Sequence, residues 1–287
     1  MKLKLTDFSL RFPWIIVLLI ILITGLGVWQ FPKVKFDNDP ENMLSPGEPV
    51  RVFHNQTKDK FALYDMVIAG VVNTNHPDGV FNVKTLGRID VLTKQLLSLR
   101  QNADGLPEVT APAPFVPDLR PDSAYKRFLT KVFRQDVNRL FTENGGSAIV
   151  KEEIISPSVV DNIKQAERGA LKIEYLMEKP PATREEALAL RDDAMNNPLY
   201  KGTLVSEDGK AIALYIPIIA KTYSYNVANL VEKLTEDWPA EDRLYITGQP
   251  VAQDTFGVEM LIQMASSAPM AGLVIFLLLL LFFRRVS

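Results

Sequence analysis

The chain has 287 residues, no cysteine, 32 basic against 34 acidic residues and 47% hydrophobic side chains. The missing cysteine excludes disulfide frameworks, thiolate metal sites and cysteine nucleophiles. With the five basic and one acidic residues at the two ends set aside, Lys33 to Glu259 carries 27 basic and 33 acidic residues, which excludes nucleic-acid binding through a basic surface.

The hydrophobic residues are concentrated in two places. Phe12 to Pro32 is uncharged over 21 residues and Met260 to Phe283 over 24, lengths that predict helices crossing a hydrocarbon core of about 30 Å at about 1.5 Å per residue. Trp14 and Trp29 bracket the first run as interfacial rings do, and Lys2, Lys4 and Arg11 outweigh Asp7 on its N-terminal side, so both ends are expected in the cytoplasm, Arg284 and Arg285 returning the chain there. The run is longer than a signal-peptide core, and Gln30 to Lys33 offers no small-residue cleavage site. Ala265, Ala268 and Gly272 form a small-residue row in the second run, of the kind that lets helices pack closely in lipid. The chain stops two residues after Arg285, which reads as a cut inside a longer protein.

The expected organisation is a cytoplasmic start (1–11), a first transmembrane helix (12–32), a linker and lead-in (33–63), two halves of an α+β domain (64–119 and 201–249) around a helical insertion (120–200), a helical entry (250–263), a second transmembrane helix (264–283) and a cytoplasmic end (284–287). Phe36 to Pro49 is rich in Asp, Asn, Pro and Gly, which is turn chemistry. Met66 to Val72 is a continuous apolar run between Asp65 and Asn73 and predicts a strand buried on both faces. Leu86, Ile89, Leu92, Leu96 and Leu99 make a helical stripe after it, with Pro107 to Thr110 as a candidate second strand.

In the insertion, Ala124, Phe128, Leu129, Val132, Phe133, Val137, Leu140 and Phe141 predict one amphipathic helix, and Val160, Ile163, Ala170, Leu171 and Leu176 a second. Phe128, Phe133 and Phe141 are either core or the wall of a hydrophobic groove. Thr183 with Glu186 is a capping box that opens a third helix. Thr203 to Val205 and Ala211 to Ile216 flank the Asp208-Gly209 turn of a hairpin. Val227, Leu230, Val231, Leu234 and Trp238 then mark a helix, and Leu244 to Ile246 a last strand. Two strand-helix-strand halves predict a ferredoxin-like α+β sandwich, βαβ-βαβ, flanked by the two transmembrane helices.

No phosphate loop, zinc-protease helix or nucleophile elbow is present. His54 and His76 read as exposed imidazoles. Asn55-Gln56-Thr57 matches a glycosylation acceptor, and the acids Asp37, Asp39 and Glu41 read as hydrated turn residues. The expectation is a protein that is not an enzyme and holds no cofactor or metal.

The stretch Ile246-Thr-Gly-Gln-Pro-Val-Ala-Gln-Asp-Thr-Phe-Gly-Val-Glu-Met260, running into Pro269 and on to Phe282-Phe283-Arg284-Arg285, resembles the RND superfamily of exporters. The early FDNDPENMLSPGEPV and KDKFALYDMVIAGVV segments look like its MMPL-type, hydrophobe/amphiphile efflux branch. The resemblance spans essentially the whole chain, as a first membrane helix, a first porter domain and the start of the next membrane helix. It implies the N-terminal part of a proton-driven exporter of hydrophobic or lipid-like molecules in a bacterial inner membrane, multi-pass, with a large periplasmic loop and proton-relay acids beyond Ser287. On that likeness Gly248, Gln249, Pro250, Asp254, Phe256 and Gly257 are the family-motif residues, and Ala265, Ala268 and Gly272 the helix-packing ones. The implied partners are the later parts of the same transporter, the lipid bilayer, the substrate and further copies of the chain, with no nucleic acid. A polysaccharide chain-length regulator, which would have long continuous helices between its membrane segments, and the sensor part of a receptor are the alternatives.

Overall fold

The computed structural model describes residues 8, 11–30, 40–119, 140–165 and 171–283. It divides into two compact units, Met1–Asp37 with Pro121–Asp136, and Asn38–Arg120 with Val137–Ser287. In the first unit the described part is chiefly helix α1, Pro13–Gln30, whose leucines and isoleucines are exposed except for the half-buried Ile16 and whose Trp14 is 83% exposed.

The second unit is built around one short sheet. Helix α2 (Pro49–Phe61) opens with Pro49 in its first turn, where the missing N–H costs nothing, and ends at Ala62 in the left-handed region, φ 47°. Strand β1 (Asp65–Val72) follows, then α3 (Val83–Ser98), capped by Asn82, whose side chain accepts from the Thr85 N–H. Two-residue strands β2 (Arg100–Gln101) and β3 (Pro107–Glu108) pair with each other. A ribbon of β4 (Asp161–Gln165) and β5 (Leu171–Tyr175) comes next, then α4 (Arg184–Asn196), β6 (Ala211–Ile218), α5 (Ser224–Leu234), β7 (Arg243–Thr247) and α6 (Gln249–Phe283).

The sheet has the order β6-β1-β7, with both neighbours antiparallel to β1. Register runs from Asp65 opposite Ile218 to Val72 opposite Ala211, and from Ile68 opposite Thr247 to Val72 opposite Arg243. Val67, Ala69 and Val71 of β1 and Ile212, Leu214 and Ile216 of β6 point to one face and are buried. Leu86, Ile89, Leu92 and Leu96 of α3 and Val227, Leu230 and Val231 of α5 complete that core, the helical spacing of three and four putting each set on one stripe. Burying each such side chain contributes about 1.5–3 kcal/mol. The other face of β1 is only half-buried, so the expectation of a strand buried on both faces is corrected.

The four-stranded βαβ-βαβ sheet is corrected too. Pro107 and Glu108 turn back onto Arg100 and Gln101, because Asn102 accepts from the N–H groups of Asp104 and Leu106 and closes a local turn. They never reach the sheet. The outer edge of β6 is covered instead by an irregular stretch: Val150 N–H donates to Pro217, Ile155 exchanges two bonds with Tyr215, and Ile219 N–H donates to Ala148. A 3-10 turn at Lys151–Glu153 interrupts the stretch, so no continuous strand forms there.

Three other expectations change. Residues 49–61, read as lead-in, are helical. The helix expected through Val160, Ile163 and Leu171 is the β4-β5 ribbon. The helix expected from Ala124 to Phe141 lies outside the described residues except for Leu140 and Phe141, which are not helical, Phe141 being buried in a bridge to Ser147.

The flanking transmembrane helices are the largest correction. Among the described residues no helix is long and apolar enough to cross a membrane. The described part of helix α1 has 18 residues, about 27 Å at 1.5 Å per residue. The membrane-spanning architecture and the multi-pass inner-membrane placement with a periplasmic loop therefore have no support in the structure.

One buried carboxylate ties the unit together. Asp242, at the entry to β7, has a fully buried side chain. It accepts from Asn73 Nδ2 at 2.8 Å, from the Thr85 hydroxyl at 2.7 Å and from the Arg88 guanidinium. Replacing Asp242 with Ala strips the partner from a part-buried guanidinium and is expected to cost about 3 kcal/mol or more, read as a lowered urea midpoint with unchanged slope.

Candidate functional site

Strand β7 leads through Gly248 into α6, and this junction holds the residues singled out by the family likeness. Gly248 has φ +130°, and a Cβ there would lie 2.4 Å from the Met66 carbonyl oxygen. Only glycine lets the chain pass so close to the start of β1. Gln249 is exposed, Pro250 is buried in the first turn of the helix, and the Ser224 hydroxyl of α5 donates to the Pro250 carbonyl at 2.9 Å. Val251 joins the core and Gly257 is buried, whereas Phe256 is 65% exposed. The first turns of α6 are therefore rooted on the sheet and on α5. The side chains of Asp254 and Ala265 lie outside the described residues. Ala268 is exposed, and a Cβ at Gly272 would meet nothing within 4 Å, so the expected packing row has no packing partner among the described residues.

Beyond the junction α6 is apolar and uncovered. Leu273, Ile275, Phe276, Leu277, Leu278, Leu281 and Phe282 are all exposed. Helix α2 likewise presents Val50, Phe53 and Phe61 to solvent. Surfaces of this size mark places that something else covers.

The polar clusters are structural. Asp78, in the loop between β1 and α3, receives two hydrogen bonds from Arg184 at the start of α4, at 2.6 and 2.8 Å. That guanidinium holds the Asp78 carboxyl below its usual value, with Arg184, His76 and Arg191 adding attractive charge against the opposing effect of burial. On α3, Asp90 pairs with Lys94 at 2.6 Å and accepts from Ser158 at 3.0 Å. Asp78 and Asp242 were not legible as sites, since their guanidinium partners Arg184 and Arg88 lie far away in the sequence, and Asp90 beside Lys94 gives no sign of its second partner, Ser158. Among the described residues no group of three or more His, Cys, Asp or Glu could hold a metal ion.

A groove of about 310 Å³ runs between the end of β5 and α4. Glu178, Lys179, Glu186 and Asp193 line it beside Leu190 and Pro181, and Glu186 is already engaged by the Ala182 N–H at 2.6 Å, one residue before the Thr183 N–H that a capping box uses. Tyr175, Leu176, Met177 and Ala189 also line it, so charged and apolar side chains share the groove, whereas pockets for hydrophobic ligands are lined mainly by apolar ones. No protein-family model, curated protein or solved structure matches the chain.

Two measurements test this geometry. Gly248→Ala introduces both a forbidden φ and a backbone clash, and is expected to cost at least about 2 kcal/mol, read by thermal or urea unfolding of the full chain. For Asp78, a folded-state pKa below the unfolded value near 3.8 means that its stabilisation is complete above that value and disappears as pH falls through the lower one. The melting-temperature gap between wild type and Arg184→Gln is therefore expected at pH 6 and should shrink as the pH falls below the unfolded value.

Proposed function

We propose that the chain is the N-terminal part of a proton-driven exporter of the RND superfamily, MMPL-type branch, that moves hydrophobic or lipid-like molecules. The observation that carries this reading is the Thr247-Gly248-Gln249-Pro250 junction, where a strand of the central sheet passes directly into a long helix with an exposed apolar end. An element rooted at one end in a sheet and apolar at the other suits a device that couples movement between two parts of a transporter.

In this reading the later parts of the same protein cover α1 and the apolar end of α6, and supply the proton-relay acids. The sheet unit is the substrate-handling part, without catalytic chemistry of its own. The scaffold alternative is disfavoured, because α2 to α5 are only 11 to 16 residues long and a chain-length regulator needs long continuous helices.

Cells that lack the full-length protein should lose most of their active efflux of a lipophilic fluorescent dye, and re-expression should restore it. A protonophore should abolish the restored efflux. Efflux that is unchanged by deletion, across dyes differing in charge and size, overturns the proposal.

A further inference from the structure

The β4-β5 ribbon shows an unusual distribution of side chains. Ile163, Leu171, Ile173 and Tyr175 share one face, with Ile163 directly opposite Ile173, and they are 60, 71, 66 and 51% exposed. The opposite face is polar: Lys172 and Glu174 pair at 2.5 Å, and Asn162 is buried and reaches Asp193 of α4 at 3.4 Å. The ribbon thus anchors Asn162 of its polar side to the body, leaves Lys172 exposed, and turns its apolar side to water. A two-stranded ribbon alone is marginal in water, and an apolar ribbon with an open edge is a template for a further strand.

The two edges of the ribbon differ. The Leu176 N–H donates to the Val160 carbonyl at 2.8 Å, which sets the alternation of the antiparallel ladder: Lys172 and Glu174 turn their backbone groups toward β4, and Leu171, Ile173 and Tyr175 turn theirs outward. The outer edge of β4 is blocked where the Tyr200 hydroxyl donates to the Asp161 carbonyl. The outer edge of β5 pairs with no strand among the described residues.

We propose that β5 pairs with β5 of a second copy of this chain, antiparallel, about a two-fold axis through Ile173. In this register Ile173 faces Ile173 of the second copy, Leu171 faces its Tyr175, and Lys172 faces its Glu174. The outward backbone groups of Leu171, Ile173 and Tyr175 all find partners, two bonds at the central pair and two at each flanking pair. The apolar faces of the two ribbons join into one surface on a four-stranded sheet, and opposite charges face each other twice on the polar side. The charges also select the register. Moving the axis to residue 172 sets Lys172 against Lys172, and moving it to residue 174 sets Glu174 against Glu174. Such a contact is isologous and closes at two copies. It stands independently of the exporter reading.

The absence of native cysteine makes the test direct. Ile173→Cys carries the only thiol of the chain, and Cα atoms about 5.5 Å apart in a hydrogen-bonded pair are within disulfide reach. In the full chain held in mild detergent, mild oxidation should give a covalent dimer with Ile173→Cys and none with Leu199→Cys, which is 75% exposed but off the ribbon. Sedimentation should show that Lys172→Glu and Glu174→Lys each weaken the dimer by about tenfold or more, and that the double variant, which restores opposite charges, recovers it. A chain that sediments as a monomer throughout, or crosslinks no better at position 173 than at 199, overturns the proposal. So does a dimer indifferent to both charge changes, because it would associate through another surface.

Discussion

The carboxylate of Asp242 is the constraint on which the second unit depends. It sits where α5 hands over to β7, and it accepts from the end of β1 through Asn73 and from the first turns of α3 through Thr85 and Arg88. A buried carboxylate is costly unless its lone pairs are met, and here three donors from two other elements meet them. Sheet and helix can therefore pack in one arrangement, the one that brings all three donors to Asp242. The same network prepares the cap of α3, because Asn82 donates to Thr85 and accepts its N–H.

From this fixed point the two edges of the sheet develop differently. On the β7 side the chain turns sharply at Gly248, against the Met66 carbonyl, and continues as α6. On the β6 side an irregular stretch from Ala148 to Ile155 lies along the edge and satisfies backbone groups of Tyr215 and Pro217 without forming a strand. Covering an edge in this way protects it from pairing with other chains. The edge of β5, which has no such cover among the described residues, stands out by contrast.

Much of the central fold was legible because its signals are local. The stripe from Leu86 to Leu99, the stripe from Val227 to Trp238, the Asp208-Gly209 turn and the Thr183-Glu186 capping box are each local, and each finds its element, although α3 ends at Ser98 and α5 ends at Leu234, short of Trp238. Gly209 alone takes the positive φ at that turn, 69°. The failures have physical causes. In Val160 to Leu176 a helical spacing was read across residues whose nearer pattern, Leu171-Lys172-Ile173-Glu174-Tyr175, alternates strictly with period two, the stronger evidence for a strand. Helix α2 was hidden because its flanking Pro, Gly and Ser residues suggest turns, although proline is well suited to a first helical turn. The apolar runs suggest membrane helices by their uncharged length alone, and among the described residues no helix meets that requirement. Of the candidate site, Gly248 could be recognised from its motif, but the reason for it, a carbonyl contributed by Met66, could not.

The placement of β1 in the middle of the sheet also bears on how the molecule comes into being. Both strands that flank β1 begin at or after Ala211, so a chain that emerges at about 5–20 residues per second leaves this apolar strand without either neighbour for on the order of ten seconds. Throughout that interval Val67, Val71 and the leucines of α3 are made but have no sheet to cover them. Contacts of such wide sequence separation slow folding and lengthen exposure to misassociation, so the nascent chain is a substrate for any chaperone that holds apolar segments near the ribosome.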